Sequence, residues 1–256
     1  MDKIILGAQL YTVRDHIQTD EDFERTMAQL AEMGVKYIHA SGIGGKVTKE
    51  AIRRGTKDNG IEIVLTHYNP TALLENYEKA IEYHDYIGTR AIGIGGIPYD
   101  RNYEGYMRFC ENFAPVFEKL KASGRLFLYH NHHLEFEKFN GKTAMDWMLE
   151  NTDPEGMKLT FDAYWAHYAG IDPIDFVEKH GERIFCTHTK DMTVLNGSPT
   201  MTEMLTGNIN YDGFFEKCRE KNVKYHFIEQ DICRMDSMES MKISFNNLMN
   251  RYDFWG

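Results

Sequence analysis

The chain reads as a single (β/α)8 barrel covering residues 1–256, and three observations predict it. Short apolar runs of strand length recur about eight times along the sequence. Longer segments with apolar residues every three or four positions separate them, and several of these segments end on glycine just before the next run. A length of 256 residues suits such a barrel as one domain, and no composition shift or low-complexity segment marks a boundary.

Strands are predicted at 4–10 (IILGAQL), 35–40 (VKYIHA), 61–67 (IEIVLTH), 90–96 (RAIGIGG), 125–131 (RLFLYHN), 157–162 (MKLTFD), 183–189 (RIFCTHT) and 224–230 (KYHFIEQ). They are apolar with little alternation, as strands buried on both faces are, and helical crossovers between them imply parallel pairing. In DEDFERTMAQLAEMG, Phe23, Met27, Leu30 and Met33 recur at helical spacing. Asp20 is expected to cap that helix and Gly34 to end it in a left-handed conformation. Further helices are predicted at 47–59, 71–87, 103–122, 143–150, 173–180, 211–221 and 237–250, with Gly60, Gly88, Gly124 and Gly181 as stops. An open doubly wound sheet would share this alternation, but the glycine-rich nucleotide loop is missing after the first strand. GIGGIP at 93–98 lacks the G-x-G-x-x-G spacing and reads as a tight strand-to-loop exit. The longest irregular stretch, 191–209, is expected to form a lid or wall over the active site.

Composition narrows the partners. A net charge of -10 without any basic run argues against a protein that neutralises nucleic-acid phosphates. The N-terminal apolar run is too short to span a membrane and lacks the basic start of a signal peptide, so a cytoplasmic protein without a membrane partner is expected. Cys110, Cys186, Cys218 and Cys233 are scattered and read as reduced, small apolar residues.

In a barrel of this kind the C-terminal ends of the strands form the rim that carries chemistry. Those ends place Gln9 and Thr12 after the first strand, His39 after the second, His67 after the third, and His130 and His132 after the fifth. Asp162 follows the sixth, His188 the seventh and Glu229 the eighth. A lone histidine at a strand end is usually a hydrogen-bonded structural residue. Five histidines and two carboxylates converging on one rim need a ligand, because clustered ionisable groups must be paired or coordinated once partly desolvated. A donor set of His, Asp and Glu without Cys suits Mn, Co, Zn or Fe, with Mg less well matched to imidazole. The expected ligands are His130, Asp162, His188 and Glu229, from four consecutive strands. His132 shares a strand face with His130 and is the alternative ligand there, whereas Asn131 points away.

At these residues the chain resembles the xylose isomerase-like TIM barrels, and within them the sugar phosphate isomerase/epimerase group. The resemblance runs over essentially the whole chain. It rests on GAQLYTVRD, YHNHHLEFEKFNGKT, FDAYWAHYAGIDP, THTKDM and FIEQD. It implies a metal held by Glu, Asp, His and Glu from strands five to eight, and Asp162, His188 and Glu229 match in type. His130 stands where that pattern has Glu, which removes one of the two carboxylates that pass a proton across the substrate in epimerases. Endonuclease IV resembles the chain in fold and in His67, but its further ligands after strand seven are missing here.

The function this implies is a divalent-metal-dependent isomerase or epimerase acting on a sugar or sugar-like polyol through an enediolate. The alternative is a metal-dependent lyase or dehydratase acting on a keto-inositol, an oxidised sugar or a glycoside. A non-catalytic barrel is the third reading. Glu229 is the expected general base, Glu135 the second acid/base reaching in from the loop after strand five, and Lys190 with Asp191 a proton source or orienter of His188. The plain alternative for Lys190 and Asp191 is a salt-bridged pair closing strand seven. His67, His132, Trp165 and Tyr11 are the expected substrate contacts, the last two as an apolar wall. A homo-oligomer is compatible with the sequence, although no surface stripe marks an interface.

Overall fold

Eight parallel strands close on themselves in the computed structural model, which describes residues 4–255. β1 (Ile4–Gln9), β2 (Tyr37–Ala40), β3 (Glu62–His67), β4 (Ala91–Ile94), β5 (Leu126–His130), β6 (Lys158–Asp162), β7 (Ile184–Thr189) and β8 (Tyr225–Ile228) pair in chain order. The circle closes by β1 against β8, in register from Ile5↔Tyr225 to Ala8↔Ile228. This is a TIM barrel, and the closing pair excludes the open doubly wound sheet. Each of the eight barrel strands lies within the range predicted for it.

The predicted helices form with three corrections, and an unpredicted helix, Ala163–Tyr168, follows β6. Thr19, not Asp20, caps the helix Asp20–Glu32, its hydroxyl accepting from Asp22 N. Asp20 is the first helical residue, and its carboxylate instead takes the amide and hydroxyl of Thr48 at the start of the next helix. The segment 71–87 divides into Pro70–Glu75 and Tyr77–Ile87, because the Asn76 side chain caps the second helix by accepting from Lys79 N. Gly34, Gly60, Gly88 and Gly124 do stop helices at positive φ. Gly181 is right-handed and opens a short 3-10 turn. A side chain there would meet Lys221 at 2.6 Å, so space rather than conformation demands glycine. The stretch 191–209 carries an antiparallel hairpin, Asp191–Leu195 with Ser198–Thr202, turning on Asn196 and Gly197 at positive φ.

Inside the barrel, residues two apart on a strand share a face, so five of the inward rows stack a small or apolar residue beneath a polar one. The rows read Tyr37 under His39, Leu65 under His67, Leu128 under His130, Cys186 under His188 and Phe227 under Glu229. Val64, Leu65, Ala91, Leu128, Cys186 and Phe227 form a plug that closes the floor. A larger apolar layer lies between the strands and the helices around them. Gly93 of the GIGGIP segment is a close approach: a β-carbon there would fall 2.6 Å from the Thr66 carbonyl. Cys110, Cys186 and Cys218 are buried free thiols as expected, and Cys233 is partly buried.

Two measurements check this packing. A β-carbon on Gly7 would lie 2.5 Å from the Tyr37 carbonyl and 2.8 Å from the Phe227 ring. Gly7→Ala is therefore expected to destabilise the barrel by about 1–3 kcal/mol in urea unfolding. Burial also depresses His84 to about 4 and His226 to about 3, and each ring bonds a threonine hydroxyl at 2.7 Å. Both are neutral in the folded state but would charge in the unfolded chain. Their stabilisation is whole above about pH 6.5 and is lost as pH falls towards 4, so the melting temperature of His84→Gln should fall less steeply than wild type over that interval.

Candidate metal centre

The ends of β5 to β8 bring four ligand atoms together. His130 Nε2 lies 3.2 Å from Asp162 Oδ2 and 3.1 Å from His188 Nδ1. His188 Nδ1 lies 3.7 Å from Asp162 Oδ2 and 2.9 Å from Glu229 Oε2. All four residues are buried, and their ligand atoms lie within 4.8 Å of one another. A cation bound at about 2.1 Å to four tetrahedral donors requires edges of about 3.4 Å, so the residues present fit a Zn-, Mn-, Co- or Fe-sized ion. His132 is not one of the four: β5 ends at His130, and His132 lies in the following loop with its ring 4.6 Å from that of His130.

Neighbouring groups fix charge and orientation. Burial by itself would raise both carboxyls. The charges of His188 and Lys190 hold Glu229 well below the usual carboxylate range, and the same two residues hold Asp162 down. Burial would depress His188, yet the charges of Glu229 and Asp162 and their hydrogen bonds raise it to about 8. His130 is driven well down by burial and by the imidazoles around it, so it is neutral and able to ligate. Asn131 ties β5 to β6, accepting from Asp162 N and donating to Asp162 O. His188 Nε2 lies 2.7 Å from His39 Nδ1, so a second imidazole backs the ligand. Gln9 accepts from Tyr11 N through Oε1, which turns its amide NH2 towards Glu229 Oε1 at 2.9 Å.

Lys190 is fully buried and does not pair with Asp191. Its ammonium touches Asp162 Oδ2 at 3.0 Å, Glu229 Oε2 at 2.5 Å and Asp231 Oδ2 at 2.7 Å, with the Trp165 ring centroid at 5.4 Å. Asp191 points elsewhere and pins the 191–209 loop by accepting from the amides of Met192, Gly207 and Ile209. Glu135 is likewise a correction. It does not reach out of its loop towards a substrate but is buried, accepting from the Tyr129 hydroxyl at 2.8 Å and from His132 N at 2.7 Å.

His67, His132 and Trp165 converge on the same mouth. Their rings form a chain, with centroids 5.1 Å apart from His67 to His130, 4.6 Å from His130 to His132 and 5.8 Å from His132 to Trp165. Along this arc His39 Nε2, His67 Nε2, His130 Nδ1, His132 Nδ1 and Trp165 Nε1 are buried without a protein partner. Tyr11 is joined to the centre through its backbone, while its half-exposed ring carries the Arg14 guanidinium at 4.3 Å. Sequence reasoning passed over Gln9 as an orienter of Glu229, and it missed Asp231. The signal for Asp231 was its place two residues past Glu229, the spacing that keeps a side chain on one face.

Fold and site together define a TIM barrel with a candidate divalent-metal centre on its C-terminal rim. A family model described as "Xylose isomerase-like TIM barrel" matches residues 27–231, and the chain belongs to that family. No curated protein matches it. Among solved structures, a sugar phosphate isomerase/epimerase from Parabacteroides distasonis aligns over 97% of this chain and 98% of its own at 22% identity and a TM-score of 0.82. A probable 3-DHS dehydratase from Bacillus anthracis aligns over 97% and 100% at 15% identity and a TM-score of 0.73. An L-ribulose 3-epimerase aligns over 96% and 93% at 14% identity and a TM-score of 0.70. At these identities the likeness is one of fold. Among the described residues no helix is long and apolar enough to cross a membrane.

The two donors that converge on Glu135 make a direct check. Glu135→Gln must turn an NH2 towards one of them, so it is expected to cost about 1–3 kcal/mol in denaturant unfolding. Tyr129→Phe should recover part of that loss in the double variant.

Proposed function

We propose that the protein is a divalent-metal-dependent isomerase or epimerase of a sugar or sugar-like polyol, removing and returning a proton next to a carbonyl. The observation that carries the reading is the four-donor cluster beside an arc of unpartnered imidazole and indole nitrogens. Buried polar nitrogens without partners favour a ligand rich in hydroxyl groups, each able to donate and accept. Fold neighbours titled as a sugar phosphate isomerase/epimerase and an L-ribulose 3-epimerase are consistent with it. His130, Asp162, His188 and Glu229 would hold the metal, which supplies Lewis-acid stabilisation of negative charge developing on the carbonyl oxygen.

The chain's own residues divide the remaining work. Glu229, held ionised by His188 and Lys190, takes the α-proton. His132 replaces Glu135 as the second acid/base. Burial keeps its ring below the usual imidazole pKa, its Nδ1 lacks a protein partner, and Glu135 fixes its backbone. A histidine in the loop after β5 thus makes up for the carboxylate that His130 displaces. Trp165 would pack against the sugar, with His67 bonding its hydroxyls.

A second reading, elimination of water from a keto-inositol or keto-sugar, has one observation in its favour. The Lys190 ammonium lies beneath the mouth, on Asp162 Oδ2 and 5.4 Å from the Trp165 ring, and would be the proton donor to a departing hydroxyl.

The test is incubation of Mn²⁺- or Co²⁺-loaded protein with a panel of keto- and aldo-sugars in D2O, followed by NMR and mass spectrometry. Isomerisation or epimerisation incorporates deuterium at the α-carbon and leaves the product isomeric with the substrate, whereas elimination removes one water. His132→Asn is expected to slow exchange by about 100-fold or more with the fold intact. Neither exchange nor water loss across the panel would sink both readings.

A further inference from the structure

Three carboxylates, Asp162, Glu229 and Asp231, surround the buried Lys190 ammonium. Three carboxylates thus share one fixed positive charge, and His188, whose Nδ1 faces Glu229 Oε2 at 2.9 Å and Asp162 Oδ2 at 3.7 Å, is the other group able to carry charge there. The contested atoms are specific. Lys190 Nζ touches Asp162 Oδ2 and Glu229 Oε2, the same two oxygens that face His130 Nε2 and His188 Nδ1 in the four-donor set. A dication and the ammonium therefore compete for those oxygens. Asp231 belongs to no donor set, lies 2.7 Å from the same ammonium and has a side chain only 22% exposed. Its backbone is fixed from both sides, its carbonyl accepting from Arg14 at 2.9 Å and the amide of Gln230 donating to the Thr12 hydroxyl at 2.9 Å.

We infer that Asp231 is a positioning residue that sets the affinity of the centre for a divalent cation, retaining the Lys190 ammonium as a counter-ion while the cation takes over Asp162 Oδ2 and Glu229 Oε2. The inference rests on the metal reading above and deepens it. Without the Asp231 charge, Lys190 stays on the ligand carboxylates and opposes entry. Without the ammonium, the carboxylates are left with excess negative charge and draw the cation in more strongly. Substitutions on the two sides of one ion pair should therefore move affinity in opposite directions.

The experiment is calorimetric titration of metal-free, full-length protein with Mn²⁺ and Co²⁺ at pH 8. Asp231→Asn is expected to weaken binding by about 10- to 100-fold, and Asp231→Glu to stay within about threefold of wild type. Lys190→Met is expected to tighten binding by about tenfold or more, and the Lys190→Met/Asp231→Asn double variant to return towards wild type. Circular dichroism checks that each variant is folded. Unchanged affinity in folded Asp231→Asn would overturn the inference, as would weaker binding in Lys190→Met. If Asp231→Asn does not fold, the direction of the Lys190→Met shift decides alone. Wild type that binds no divalent ion would sink the metal reading itself, a failure distinct from the others.

Discussion

The rim depends on one constraint: two buried carboxylates and a third partly buried one are neutralised by a single lysine and a ring of imidazoles. Isolated buried charges are too costly to persist, so every group around Asp162, Glu229 and Asp231 has to contribute either charge or a hydrogen bond. Lys190 contributes the charge to all three. Gln9 gives an N–H to Glu229, Asn131 clamps the backbone of Asp162, and His39 backs His188. The parallel barrel makes this possible by ending eight strands at one level, with an apolar floor of Leu65, Leu128 and Phe227 beneath the polar layer.

That two-layer arrangement is why the centre could be read from the sequence. With a side-chain period of two, the polar residue that closes an apolar strand faces the same axis as the small or apolar residue beneath it. His130, Asp162, His188 and Glu229 were legible as a set because each stands at the C-terminal end of one of four consecutive strands. Glycine stops and helical spacing located the crossovers for the same reason: each is a local backbone rule.

Features beyond the strand ends were less legible, because loop geometry has no fixed period. Glu135 lies five residues past His130, and nothing local says that a 3-10 turn rotates it onto the Tyr129 hydroxyl and away from the mouth. The hairpin after β7 did have a local signal, the Asn196-Gly197 pair, which was passed over. Asp191 shows the limit most clearly. It adjoins Lys190 in sequence, yet successive residues point to opposite sides, so it braces the loop while Lys190 serves the centre. The family resemblance named a metal-bound carboxylate on strand five. In the loop after that strand, the Glu135 carboxylate that holds the His132 amide could be identified only in three dimensions.

Whether this assembly is a metal centre is tested most directly by elemental analysis of protein purified without added metal, with wild type compared with Asp162→Ala and His188→Ala. The account predicts about one Mn, Co, Fe or Zn per wild-type chain, lost in both variants while circular dichroism shows the barrel intact. Absence of metal in wild type, with no thermal stabilisation by any of these ions, would contradict it.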